Sequence, residues 1–216
     1  MFDFDGTIVD TEAPAFRSWQ ELFEENGQTL TLDAWSGCLG TIGGFDPLLH
    51  LEELIGTALE DRDDALIRRG ERNLHLLASE RLRPGVDEYL VRAGELGLEV
   101  AIVSSDTTEW ITTNLARVGR SEGWAHIVCA DGDVARAKPL PCLYEEALEL
   151  LGMPAESAIA FEDSPNGIRA AKAAGLFCVA VPNPVTKDLD LGAADLALDS
   201  LEDMALDEVL RAAVRV

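Results

Sequence analysis

Phe2-Asp3-Phe4-Asp5-Gly6-Thr7 stands at the head of this 216-residue chain, and its reading decides the fold. An apolar residue, an Asp-x-Asp pair and then Gly-Thr describe a strand that ends in carboxylates and turns at once into a glycine loop. Side chains two apart on a strand share a face, so Asp3 and Asp5 converge if the strand runs through both. The preferred arrangement ends the strand near Asp3 and lets Gly6 turn the chain, which frees Asp5 to swing over the site. Two close carboxylates repel unless a cation or a shared proton stabilises them. The six residues therefore read either as a Mg²⁺ site with a nucleophilic Asp or as an acidic turn on a very acidic protein. Only Met1 and Phe2 precede Asp3, fewer than a buried strand ordinarily holds. Either the first strand is short or residues are missing ahead of it.

Further strands follow from residue 98 onward. Short apolar, β-branched runs occur at Leu98–Val103, His126–Ala130, Ala158–Phe161 and Phe177–Val181, with a weaker one at Leu196–Leu198. Helical patterns separate them at about 86–96, 108–118, 142–151, 165–174 and 201–213. Near-continuous apolar strands alternating with helices predict an α/β fold, a doubly wound parallel sheet with a Rossmann-like core. Residues 12 to about 82 break this rhythm with apolar residues at helical spacing, among them Trp19, Leu22, Phe23, Leu51, Ile55, Leu74 and Leu77. They read as a helical insert after the first strand. The expected division is an α/β core of residues 1–11 and 84–216 and a helical unit of residues 12–83.

Acidic residues number 40 against 17 basic ones, a net charge of −23. Such a surface repels nucleic acid and anionic membrane, and at long range a phosphorylated ligand as well. Any phosphate site must therefore be locally positive. The lysines are Lys138, Lys172 and Lys187 alone. Lys172 and Lys187 lack motif context and read as surface residues. Cys38, Cys129, Cys142 and Cys178 are scattered, and no apolar run is long enough to span a membrane. The expectation is a reduced, cytoplasmic protein without a membrane partner, and its charge favours a monomer.

Ligands of open α/β sheets sit beyond the carboxyl ends of the strands. There this chain places Asp3-Phe4-Asp5, then Ser104-Ser105-Asp106, then Asp131-Gly132-Asp133 followed by Lys138-Pro139, and finally Glu162-Asp163-Ser164. Singly each is an ordinary loop or helix cap. Together they bring carboxylates, hydroxyls and one ammonium to one edge of one sheet.

In these residues the chain resembles the haloacid dehalogenase-like superfamily, closest to its phosphatase and β-phosphoglucomutase branch with a small helical cap. Asp3-Phe4-Asp5-Gly6-Thr7 resembles the first family motif. Ser104 falls on the second, Lys138 with Pro139 and Pro141 on the third, and Phe161-Glu162-Asp163-Ser164-Pro165-Asn166-Gly167 on the fourth. The resemblance implies Asp3 as a nucleophile that forms an aspartyl-phosphate. It implies Asp5 as the acid that protonates the leaving oxygen and then activates water. Mg²⁺ would be held by the Asp3 carboxylate, the Asp5 carbonyl and Asp163, with Glu162 as an auxiliary acid. Ser104, Ser105, Lys138 and the Gly6-Thr7 amides would bind the phosphoryl group. Gly40, Thr41, Gly43 and Gly44 suggest a cap loop that touches the substrate, expected to be a small phosphorylated metabolite such as a sugar phosphate. Cys142 stands where the third motif often has Asp, a position that orients the lysine loop more than it does chemistry.

The other activities of this family fit less well. Attack at carbon needs no general acid, and dehalogenases of the family lack the second Asp that is present here as Asp5. The phosphonate hydrolases use a cap lysine, and residues 12–82 contain none. Mutases usually carry a His at the position of Ala15 and a basic residue after the second-motif serine, where this chain has Asp106-Thr107-Thr108. Hydrolysis is therefore expected ahead of the mutase reaction, and both ahead of a non-catalytic binding role.

Overall fold

Ala101–Ser104 (β1) and His126–Cys129 (β2) pair in parallel, with Ala101 opposite His126 and Ser104 opposite Cys129. Ile159–Glu162 (β3), Phe177–Ala180 (β4) and Leu196–Ala197 (β5) form a second parallel run in that order. The first residues of the chain join the two. Phe2 bridges Ile102 on one side and Phe161 on the other, both in parallel sense. Its N–H donates to Ala101 O (2.8 Å), and its carbonyl accepts from Val103 N–H (2.8 Å). Across the other edge Asp3 N–H donates to Phe161 O at 2.9 Å. The spatial order is thus β2, β1, the Phe2 segment, β3, β4, β5. In this computed structural model, which describes residues 1–214, the expected first strand is a two-sided bridge at Phe2. It ends at Asp3 because the Phe4 carbonyl then collects the amides of Thr7, Ile8 and Val9 and turns the chain.

Helices cover the sheet on both faces. The insert carries Glu12–Glu25 (α1), Leu32–Trp35 (α2), Pro47–Ile55 (α3) and Arg62–Leu77 (α4). The core carries Val86–Leu96 (α5), Thr108–Arg117 (α6), Cys142–Leu151 (α7), Pro165–Ala173 (α8) and Leu206–Ala213 (α9). Val86, Ile111, Leu115 and Val209 from α5, α6 and α9 pack with Phe2, Ile102 and Phe161 on one face. Leu143, Tyr144, Ile168 and Ala171 from α7 and α8 pack with Ala101, Val103 and Ala160 on the other. This is the doubly wound arrangement that the alternating pattern predicted. Phe2 also stacks on Phe161 with ring centroids 4.4 Å apart. Burying one aromatic side chain of this size contributes about 1.5–3 kcal/mol, so the short segment is well anchored.

Local signals set the helix ends. The Thr107 hydroxyl accepts from Trp110 N–H to start α6, and Ser164 accepts from Gly167 N–H to start α8, with Pro165 at its first position. The expected helix at 201–213 is split. Ser200 and Asp203 form a capping box that closes a single 3₁₀ turn at Leu201–Asp203; Met204 is extended, and α9 begins at Leu206. In the insert, Leu22, Phe23, Leu30, Trp35, Leu51 and Ala65 form a separate apolar cluster, and Arg72 of α4 pairs with Glu21 of α1 at 2.6 Å.

Candidate active site

A cavity of 290 Å³ opens between the carboxyl edge of the sheet and the insert. Its walls are Asp3, Asp5, Thr11, Glu12, Ala15, Cys38, Gly40, Thr41, Ile42, Arg69, Asn73, Ser104, Ser105, Asp106 and Trp110.

Asp3 leaves the sheet between β1 and β3 and is buried. Its Oδ1 accepts from the Lys138 ammonium, which also reaches Glu162 Oε1 (2.6 Å) and Val103 O (2.8 Å). Lys138 is 1% exposed. Burial alone would push its pKa down, but Asp3 and Glu162 overrule that and hold the ammonium charged, above the ordinary range. Glu162 is fully buried; its Oε1 also takes the Tyr144 hydroxyl at 2.6 Å, while Oε2 has no hydrogen-bond partner among the described residues. Burial first, then repulsion by Asp3, pushes its carboxyl up to about 7, against the pull of Lys138.

Asp163 lies beside this pair. Its Oδ2 accepts from Asn183 Nδ2 at 2.6 Å, and Asn183 is itself fixed by accepting from the amides of Val185 and Thr186. Burial, then repulsion by Asp3, Glu162 and Glu12, pushes the Asp163 carboxyl well above its ordinary value, and Arg83 only partly opposes this. Asp3, Glu162 and Asp163 bring ligand oxygens within 4.8 Å of one another. Glu162 is committed to Lys138 and Tyr144, so one ammonium must serve three buried carboxylates. The excess negative charge at Asp3 and Asp163 fits a divalent cation bound through oxygen.

Asp5 is set apart from this cluster. Its Oδ1 accepts from the Thr11 hydroxyl (2.8 Å) and from the Trp110 indole N–H (2.8 Å), and Ser104 Oγ faces Oδ2 at 3.4 Å. Burial, then the charges of Asp106 and Asp3, pushes its carboxyl up to about 7 despite the two donors. Gly6 follows Asp5 and turns the chain at φ +83°. A Cβ there would lie 2.4 Å from both Asn183 Nδ2 and Asp163 Oδ2.

The Gly6-Thr7 turn corrects one expectation. Gly6 N–H donates to Val9 O (2.7 Å) and Thr7 N–H to Phe4 O (3.3 Å), so these amides hold the loop and do not face a ligand. The amides of Phe4 and Asp5 donate to no backbone acceptor among the described residues. Ser104 and Ser105 are both buried at the end of β1. Ser104 Oγ accepts from Asp106 N–H. Ser105 Oγ accepts from Lys138 N–H (3.1 Å) and donates to Gly40 O (3.1 Å), so it ties the lysine loop to the insert. The glycine stretch divides. Gly40 and Thr41 line the cavity, whereas Gly43 packs near Val134 and Gly44 folds back on Gly37. Asn166 adds a second tie by donating to Leu39 O at 2.8 Å.

Several residues here have no motif to announce them. Arg69 and Asn73 lie four apart on α4 and line the cavity, and Arg69 Nε and Asn73 Oδ1 are buried without hydrogen-bond partners among the described residues. The i, i+4 spacing on one helix face was the available signal. Arg83 donates to Gly6 O, Val181 O (3.0 Å) and Pro182 O (2.6 Å), joining the Asp5 loop to the Asn183 loop. Glu12, whose carboxyl is pushed well up by burial and by Asp5, Asp3, Asp10 and Asp106, stands where α1 begins.

The family of haloacid dehalogenase-like hydrolases matches residues 1–181. The chain belongs to that family. It is 43% identical over 206 residues to a Bacillus subtilis protein named as a phosphatase, YhcW, covering 95% of this chain and 93% of the relative. Among solved structures, CbbY from Rhodobacter sphaeroides in complex with xylulose-1,5-bisphosphate is 31% identical with a TM-score of 0.71, covering 93% of this chain and 92% of that one. A Thermotoga maritima structure described as a β-phosphoglucomutase is 26% identical with a TM-score of 0.76, covering 97% of each chain. All four cysteines are free thiols, and no helix among the described residues is long and apolar enough to cross a membrane.

Proposed function

We propose that this protein is a Mg²⁺-dependent phosphatase of small organic phosphomonoesters, with residues 1–11 and 84–216 as the catalytic core and residues 12–83 as its cap. One observation carries the reading. Two aspartates two residues apart have opposite surroundings: Asp3 is held by a charged lysine among buried acids, and Asp5 is held by neutral donors in the cavity. Environments that separate two carboxyl groups in this way assign one as nucleophile and the other as acid and base. The family membership and the phosphatase relative support the same chemistry.

In the first half-reaction an Asp3 oxygen bonds to phosphorus as the bond to the leaving oxygen breaks, and Asp5 gives that oxygen a proton. Lys138 holds Asp3 in place and offsets charge on the phosphoryl oxygens. Ser104 and the amides of Phe4 and Asp5 supply further donors. In the second half-reaction water attacks the aspartyl-phosphate, Asp5 takes its proton, and Asp3 leaves as a carboxylate. Asp3, the Asp5 carbonyl and Asp163 would hold Mg²⁺, which supplies charge that offsets repulsion between nucleophile and phosphate. Glu162, bound to Lys138 and Tyr144, keeps the lysine in place.

The cavity's size suits a small substrate. Arg69 and Asn73 line it from α4, which favours a substrate with a polar body such as a sugar. The four free thiols support a reducing, cytoplasmic setting. The net charge of −23 supports a monomer.

A mutase is the second reading, carried by the β-phosphoglucomutase-like neighbour. Against it, Ala15 puts only a methyl group on the cavity wall at the position of the mutase histidine. The test is incubation with Mg²⁺ and a panel of phosphomonoesters including β-glucose 1-phosphate, following free phosphate and glucose 6-phosphate together. Phosphate release that disappears with Asp3→Asn or with chelator is the expected result. Glucose 6-phosphate without net phosphate would establish the mutase instead.

A further inference from the structure

Trp110 is the residue of the cavity wall whose contact has the most specific chemical meaning. Its backbone is tied at both ends of the first turn of α6: its N–H donates to Thr107 Oγ1 (3.2 Å) and its carbonyl accepts from Asn114 Nδ2 (3.0 Å). Its ring packs against the apolar layer under the sheet. From that fixed position the indole N–H donates to Asp5 Oδ1 at 2.8 Å, and Thr11 donates to the same oxygen at 2.8 Å.

An indole N–H donates and never accepts, and it does not ionise in the working range of an enzyme. The oxygen that receives it, already shared with a hydroxyl donor, is a poor place for a proton. Among the described residues Oδ2 meets only the Ser104 hydroxyl, at 3.4 Å. We propose that Trp110 is a positioning residue that anchors Asp5 through Oδ1 and so leaves Oδ2 as the oxygen that gives and takes the proton. In the first half-reaction the leaving oxygen, receiving the electron pair of the broken P–O bond, takes its proton from Oδ2. In the second, Oδ2 receives the proton of the attacking water as the bond from phosphorus to Asp3 breaks. A rigid aromatic donor suits this task, because it cannot compete as an acid and loses little rotamer freedom in holding the carboxylate.

This inference rests on the phosphatase reading, and its test separates the two. Trp110→Phe keeps the ring and removes the donor; Trp110→His keeps a ring N–H. Single-turnover alcohol release would be measured with Mg²⁺ on p-nitrophenyl, phenyl and benzyl phosphate, whose leaving groups run from a stabilised phenolate to an alkoxide that needs a proton. Positioned proton transfer contributes about 10²–10⁴-fold to rate, and a loosened acid forfeits part of it. Trp110→Phe is expected to slow benzyl alcohol release on the order of 10-fold or more, to change p-nitrophenol release by less than about 3-fold, and to move KM by less than about 2-fold. Trp110→His is expected to recover most of the loss. Equal slowing on all three esters, or none on benzyl phosphate, overturns the proposal and leaves Trp110 as packing. Trp110→Met has bulk without a donor and serves under the same criterion should Trp110→Phe fail to melt cooperatively. A wild-type protein that releases no alcohol from any ester overturns the phosphatase reading and this proposal with it. Activity abolished by Asp3→Asn but indifferent to Trp110 overturns the proposal alone.

Discussion

Gly6 shows how little room surrounds the reacting groups. Its φ of +83° is open to glycine and costly for other residues, and the space where a Cβ would point is filled by Asp163 and Asn183. Gly6→Ala is therefore expected to push Asp163 away from Asp3. A displacement of about 1 Å costs about 100-fold in rate, so kcat for phosphate release should fall by at least that factor while the circular dichroism spectrum stays that of the wild type. Asp3, Asp5, Lys138 and Asp163 were legible as a group because the three aspartates follow strand ends and Lys138 lies in the loop after β2, each inside a recognisable short pattern. Arg69, Asn73, Arg83 and Asn183 were not. An arginine on an insert helix looks the same in sequence whether it faces water or a cavity, and only the fold decides. The turn amides were misassigned for a related reason: a glycine loop signals tight turning, but it does not say which amides the turn itself consumes.

At the level of elements, core periodicity was the reliable guide. The expected helices at 86–96 and 142–151 match α5 and α7 residue for residue, since Gly97 and Gly152 end them in the left-handed conformation. The expected 201–213 helix failed because apolar spacing does not register a capping box that closes after one turn. In the insert, α1 and α4 are held by an apolar stripe and by the Glu21–Arg72 pair. The hydrogen bond from Arg72 lowers the pKa of Glu21 in the folded state. A carboxyl depressed by folding contributes stability above its unfolded pKa, and that contribution is lost as pH falls through the folded one. The pair is largely solvated, so its contribution is small. Glu21→Gln should thus lower the melting temperature slightly at pH 7 and by less at pH 3. An equal loss at both values would mean that the side chain acts by packing alone.

Taken as a whole, the molecule opposes the ligand it is proposed to bind. A net charge of −23 surrounds a cleft whose walls carry Arg69, with the Lys138 ammonium buried behind Asp3. Salt shortens the reach of that repulsion from about 30 Å at 0.01 M to about 8 Å at 0.15 M. KM for a phosphomonoester should therefore fall over that range at fixed free Mg²⁺, the reverse of the usual loss of charge attraction. A KM that rises with salt would show that the local field of Lys138 and Arg69 governs encounter. The sheet has a further consequence, in time instead of space. Its two halves are bridged at Phe2, whose partners Ile102 and Phe161 lie far along the chain, and the Met1 amino group reaches Ile159 at a separation of 158 residues. Contacts of such separation form late, after the loops between them have been closed. During synthesis Asp3 is made well before residue 161, and it has no seat until that residue has followed. The nascent chain lacks that seat until Phe161 can pair, and Asp3 is set in place by the same event that closes the middle of the sheet.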